Sequence, residues 1–407
     1  MAVASLSREE WRSVAGRLVL FGLLVFALTA RAQEVSIQLH RFESGPPVDR
    51  TTYLPRLTEI AAAEGRPYRD FPVEYPPVSL GAIELVAGTN GNETGVHLVW
   101  FMVFFDLLTA AALAFGWGRR AAVFYLVLTV PLLGFLYTTI DLLSAALAVS
   151  ALALVVRGRE RLGGVAMAAA ILAKVWPLAL VPVMVLERKR RALAWTVGAL
   201  TLGTFAWVWW GGPSGPLQVA TQRHTPGWEY ESLVGSVLWA LGRGFVSIND
   251  SSRLGVAPWW AKALLLGVGA VGIALVWYRA SRREPRELGL PAVAAVSILM
   301  LAAPLLSHPY VIWLAPWVAI AWTERTGYVR WLLGALMLVS GLLVVAYGSA
   351  LPDVALWSVK AILLLRNALL AAVPAVYLLE RRVVPPAGPV MATGVETRLK
   401  ISPSASS

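Results

Sequence analysis

The sequence predicts an all-α, polytopic membrane protein, and three observations lead there. Of the 407 residues, 57% are hydrophobic and only 14% charged, with mean hydropathy +0.65. A soluble domain of this size carries roughly a quarter charged residues. The apolar runs are continuous, whereas strands of a membrane β-barrel alternate apolar and polar residues. Eighteen Trp include the pairs Trp209-Trp210 and Trp259-Trp260 at the ends of apolar runs, as in interfacial belts. There is no Cys, which excludes disulfide and thiolate chemistry. The net charge of +11 rests on 35 basic residues, five of them Lys. In a membrane chain this is the basic excess of cytoplasmic loops beside anionic lipid rather than a nucleic-acid surface.

A span needs about 20 apolar residues, fewer where the bilayer thins. The candidates are 17–32, 96–117, 121–137, 140–156, 190–210, 258–278, 288–306, 309–323, 330–348 and 354–379. The run 162–186 as one helix would put Arg157, Arg159 and Arg161 on the opposite side from Arg188 to Arg191, against the positive-inside bias. Two short helices turning near Lys174-Val175-Trp176-Pro177 bring both clusters to one side, and Pro177 and Pro182 supply the break. Loop charge then alternates throughout, for 11–12 crossings in a membrane domain of residues 1–380 with both termini cytoplasmic. Loops 33–95, 138–139, 211–257, 307–308 and 349–353 face outward, and 33–95 and 211–257 are the large ones. The Pro/Ser/Gly-rich tail, 381–407, reads as a disordered cytoplasmic segment. Ala30-Arg31-Ala32 after an apolar run also fits a signal-peptide cleavage site, which would leave the following loop outside.

In the first outer loop, Leu54, Leu57, Ile60 and Ala61 share helical spacing and Gly65 is a natural stop. This predicts a short amphipathic helix lying in the outer headgroup layer. Asp49, upstream of it, reads on this segment alone as a solvated or capping residue. Next comes "YRDFPVEYPP", residues 68–77, whose prolines push each preceding residue toward extended geometry. Such a strap either presents Arg69, Asp70, Glu74 and Tyr75 to a ligand or clamps itself by pairing Arg69 with Asp70 or Glu74. On the outer face, ATP and nucleotide sugars are out of reach, so chemistry there draws on a group delivered through the membrane on a lipid.

The ordered segments "DRTTY", "GRPYRDFPVEYPP", "TTIDLL", "AKVWPLALVP", "WEYESLVGS" and "SHPYVIWLAP" resemble glycosyltransferase family 87 (DUF2029-type), of the GT-C fold superfamily. The resemblance covers residues 49 to about 317. Its best-known members are actinobacterial polyprenol-phosphate-mannose-dependent mannosyltransferases. It implies an inverting enzyme that takes a sugar, mannose, from a polyprenyl phosphate on the outer face of the cell membrane and gives it to a lipid or glycan. It also implies an Asp base in the first outer loop, and Asp49, four residues before Tyr53, is the matching position. Arg50 stands where a hydrophobic residue often follows that Asp, and "SHPY" replaces a Ser-Pro-Gln-Tyr type of motif. Both departures bear on donor and acceptor identity.

Transfer from a lipid phosphate has a good leaving group, so it needs one carboxylate to take the acceptor's proton rather than a glycosidase pair. It also needs fixed cations for the departing phosphate. Lys174, Arg223, Arg69 and His308 are the candidates. Lys174 alternatively snorkels to the interface, and His308 alternatively makes an interfacial hydrogen bond. Candidates for sugar or acceptor contacts are Tyr53, Asp70, Glu74, Tyr75, Asp141, Trp176, Glu229, Glu231, Ser232 and Tyr310. The acidic ones at helix starts also read as ordinary helix-dipole partners. Asp106, Lys360 and Arg366 lie inside spans, where charges pair or face a cavity, and Asp106 is expected to pair with Arg366. The four His lack metal-ligand spacing, and no D-x-D, H-E-x-x-H, P-loop or G-x-S-x-G occurs, so no metal or other cofactor is expected. A transporter or flippase of lipid-linked sugars is the main rival. Such folds tend to carry broken helices in paired halves, and only one break, at Lys174, is visible. A binding or assembly subunit that has lost catalysis is the third reading.

Overall fold

The computed structural model describes residues 8–45, 53–221, 226–248, 251–283, 287–348 and 352–380. The tail 381–407, Asp49 and Arg223 lie outside these residues. In chain order the helices begin with α1 (Arg8–Ser44), α2 (Tyr53–Ala62), α3 (Pro77–Val86) and α4 (Gly91–Trp117). Then come α5 (Arg119–Leu128), α6 (Leu133–Leu136), α7 (Asp141–Val156), α8 (Glu160–Ala173) and α9 (Pro182–Leu186). The second large loop follows α10 (Arg190–Gly211) and holds α11 (Ser214–Thr221) and α12 (Leu233–Ala240). The chain closes with α13 (Trp259–Ser281), α14 (Gly289–Ala302), α15 (Ala315–Glu324), α16 (Tyr328–Gly348) and α17 (Pro352–Leu379).

The protein is an all-α, multi-pass membrane protein. Five helices among the described residues are long and apolar enough to cross a membrane alone, α1, α4, α10, α13 and α17. A sixth crossing results if α5 and the Val130–Leu136 segment, bent by 44° at the 3₁₀ turn around Pro131, are one broken span. Others are shorter apolar helices, including α7, α14 and Trp176–Leu186. The break near Lys174 is present. Lys174 is extended, with φ −158° and ψ 137°, and a 3₁₀ turn over Trp176–Leu180 leads into α9. A three-stranded antiparallel sheet, order β1-β3-β2, is a small addition to the helical fold, with β1 Trp228–Glu229, β2 Phe245–Ile248 and β3 Ser251–Leu254.

Three expectations are corrected. The first helix does not stop near residue 32 but runs to Ser44. Residues 23–44 contain no Gly or Pro to end it, and several of its polar side chains find partners or cavities. Arg31, inside the A-x-A motif, is buried against Asp106 at 2.7 Å. The α2 helix exists, but its apolar face does not dip into lipid. Leu54, Leu57 and Ile60 are buried in the protein core, where α2 packs on α3 and α4. Asp106 does not pair with Arg366. Its oxygens accept from Arg31, Tyr125 and Tyr137, while Arg366 donates to Glu231 at 2.9 Å. The third intramembrane charge, Lys360, sits over the rings of Trp239 and Trp357 at 5.3 and 4.9 Å, which offsets its desolvation.

Segments that the charge pattern puts on one side touch one another. Asn92 donates to the Phe42 carbonyl, Ser214 and Gln218 to the Tyr68 carbonyl, and Glu229 N–H to the Pro304 carbonyl. At the basic end, Arg325 bridges Glu287 and Glu380 at 2.5 and 2.8 Å, and Arg283 also pairs with Glu380.

Candidate active site

The strap after α2 is held by its own chemistry. Asp70 accepts from Arg66 N–H at 2.6 Å, which closes a turn. Tyr68 has φ +68°, a left-handed conformation costing about 1–2 kcal/mol for a side chain of this kind. Its surroundings hold it there. The hydroxyl donates to the Tyr75 carbonyl, the ring packs on Trp207 and Trp210, and Ser214 and Gln218 donate to its carbonyl. Burial raises the pKa of that hydroxyl. Gly211 lets the ring approach, since a Cβ there would lie 2.6 Å from Tyr68 Cδ2. The clamp therefore works through Tyr68. Arg69 pairs with neither Asp70 nor Glu74 as the sequence suggested. It donates to the Trp209 carbonyl at 3.0 Å, and Glu74 lies 3.5 Å from Arg56.

A second group surrounds the break in the α8 region. Lys174 Nζ is 2.5 Å from Asp141 Oδ1 at the start of α7, and Trp313 Nε1 donates to the same oxygen at 2.9 Å. Trp176, Trp313 and Tyr310 form a continuous stack, with centroids 5.4 and 4.1 Å apart. Lys174 lies over Tyr310 and Trp313 at 4.4 and 4.9 Å. Trp176 Nε1 donates to Ser144. These predicted sugar-site residues are together, but they are engaged with one another.

The third group is centred on Glu231, just after β1. Glu231 Oε1 is 2.7 Å from His308 Nδ1, and Oε2 accepts from Arg366. Tyr230 donates to Oε1, and Arg366 and Asn367 both donate to the Glu231 carbonyl. Burial pushes the Glu231 carboxyl up, but His308 and Arg366 outweigh it and hold its pKa below the ordinary value. Neighbouring Glu229 lies 3.3 Å from Arg253. Ser232 caps α12 by accepting from Gly235 N–H at 3.1 Å. A carboxylate only accepts, so the His308 proton at this contact sits on Nδ1.

His308 lines a cavity of about 720 Å³ between the second half of α1 and the Val130–Thr139 segment. Phe135 packs on the imidazole at 4.4 Å and shares that lining. So do Gln38, Arg41 and Phe42 near the end of α1, Leu54 of α2, and Thr138 and Thr139 of the TTIDLL segment. Tyr53 opens α2. Of the three predicted phosphate-binding cations among the described residues, His308 is the one in this lining, and Arg41, which the sequence analysis does not single out, joins it. Its signal was legible, because Glu34, Gln38 and Arg41 recur at i, i+4 and i+7. Among the described residues no group of three or more His, Cys, Asp or Glu is placed to hold a metal ion.

The family model for glycosyltransferase family 87 matches residues 75–309, more than half of the chain. The chain belongs to glycosyltransferase family 87. No curated protein sequence matches it. As a family 87 member it is a membrane glycosyltransferase, and its partners are lipids and glycans. The matched region contains Asp141, Lys174, Trp176, Glu229, Glu231, Ser232 and His308, while Asp49 precedes it.

Proposed function

We propose that this family 87 enzyme moves mannose from a polyprenyl-phosphate donor to a hydroxyl of a lipid or glycan on the extracytoplasmic face. The observation that carries this is the cavity at the end of α1, which both His308, oriented by Glu231, and Arg41 line. Asp49 follows Ser44 by five residues, a chain reach of about 17 Å. Arg41 and Leu54, which flank it in the chain, both line this cavity. As base, Asp49 takes the acceptor hydroxyl's proton while that oxygen attacks the anomeric carbon. The bond from that carbon to the phosphate oxygen breaks, its electron pair leaves with the polyprenyl phosphate, and configuration inverts. His308 and Arg41 stabilise the growing phosphate charge. Lys174 is neutralised by Asp141 and Arg69 turns to the Trp209 carbonyl, so they rank behind these two. Arg223 completes the set as a cation of the second outer loop.

The outward placement rests on the alternation of basic loops, supported by the contacts among segments assigned to one side. The test uses purified protein in lipid nanodiscs with labelled polyprenyl-phosphate mannose and a membrane-lipid extract as acceptor. Acceptor-dependent release of free polyprenyl phosphate is the expected result. Intact donor crossing between leaflets of proteoliposomes without cleavage would instead establish the flippase rival.

A further inference from the structure

The cavity wall on α1 carries side chains that the transfer step does not use. Gln38 is 7% exposed, and its Nε2 donates to Glu34 Oε1 at 2.7 Å. Because the carboxylate only accepts, this contact fixes the amide with its nitrogen toward Glu34 and its oxygen away. Gln38 Oε1 is shut off from solvent and takes no hydrogen bond among the described residues. Folded proteins seldom leave a buried acceptor unpaired. In the same lining, Thr138 donates to the Gly134 carbonyl at 2.6 Å and Thr139 to the Phe135 carbonyl at 3.0 Å. Both hydroxyls have thus spent their protons and offer lone pairs. The wall accepts hydrogen bonds and calls for a ligand that donates them. Phosphate brings acceptors only, and an amine would meet Arg41 and His308, which line the same space. A sugar ring fits both demands, since its hydroxyls donate and its C–H face packs on Phe42 or Phe135, also in the lining.

We infer that Glu34 and Gln38 form the hydroxyl-reading wall of this cavity. Gln38 Oε1 accepts from a sugar hydroxyl after a side-chain shift that opens it to the cavity, and Glu34 keeps the amide nitrogen turned toward itself. This rests on reading the cavity as the transfer site and adds its specificity determinant. The hydroxyl belongs to the donor's sugar or to the acceptor's, and the test separates the two.

Binding to the full chain in detergent is followed by tryptophan fluorescence, with polyprenyl-phosphate mannose, bare polyprenyl phosphate and octyl mannoside as probes. Gln38→Met keeps length and removes the acceptor. It is expected to weaken one mannose-bearing probe about tenfold, the scale of one lost buried hydrogen bond, while bare polyprenyl phosphate binds as before. Loss confined to polyprenyl-phosphate mannose assigns the wall to the donor, and loss confined to octyl mannoside assigns it to the acceptor. Glu34→Gln, at a half-buried position, should shift the same probe less, and it serves if Gln38→Met melts early. Equal binding of both mannose-bearing probes by wild type and both variants overturns the inference, as does failure of wild type to bind either. Gln38-dependent binding without any transfer would overturn the transferase reading and leave this one standing.

Discussion

Most charged side chains singled out in the sequence are partnered by neighbours, and burial explains why. An uncompensated charge in a low-dielectric interior costs several kcal/mol, so Asp106 draws in Arg31, Tyr125 and Tyr137, and Glu231 draws in Arg366 and His308. The pair Asp106–Arg366 looked reasonable from matching depth, but depth along a helix says nothing about which helices touch. Glu231 makes a pH prediction. Its folded pKa lies below the ordinary carboxylate value, and the unfolded value is about 4.3. Its contribution to stability is therefore complete above the unfolded value and is lost as pH falls through the lower folded value. Melting in detergent should drop more steeply for wild type than for Glu231→Gln between pH 5 and pH 3. The variant should start lower at neutral pH, because Arg366 loses its carboxylate. Parallel pH curves would show that Glu231 is not held by these cations.

At the scale of elements, composition carried a great deal. The break at Lys174 followed from two basic clusters that had to share a side, and it is there. The α2 helix followed from its apolar spacing, yet that spacing cannot distinguish burial against lipid from burial against α3 and α4. The end of α1 was missed for a related reason. Its last turns are polar, which reads as a loop, but in the fold those side chains face cavities or buried partners and nothing in the backbone stops the helix. Close packing is a property the sequence shows only as glycine. A Cβ at Gly164 of α8 would lie 2.4 Å from the Ala192 carbonyl of α10, while one at Gly198 meets nothing within 4 Å. Gly164→Val should destabilise by about 1–3 kcal/mol, the usual cost of overpacking, seen as a lower melting temperature. Gly198→Val should leave it near wild type. Equal effects would mean that α8 and α10 do not approach so closely.

For the whole molecule, the charge pattern and the contacts agree on two ends, and the absence of Cys offers a clean way to label them. Thr89 and Arg188 are exposed. A cysteine at Thr89 should react with an impermeant maleimide in intact cells, and one at Arg188 only after permeabilisation. The reverse pattern would put the cavity in the cytosol and remove the reason for a lipid-linked donor. The class and family were legible because membrane composition and six ordered segments are spread along the chain. The site was less so. The sequence picks out His308 and Glu231 separately, but their pairing joins the 3₁₀ segment His308–Leu314 to the turn after β1, far apart in the chain, and Arg41 and Gln38 lie in a stretch that reads as a loop. For Asp49 as the base, the most direct measurement is mannose transfer by Asp49→Asn. The variant should bind polyprenyl-phosphate mannose and melt like wild type, while turnover falls by about 10²–10⁴-fold, the range for a lost general base. Turnover at the wild-type rate would contradict the assignment and require another base at this cavity.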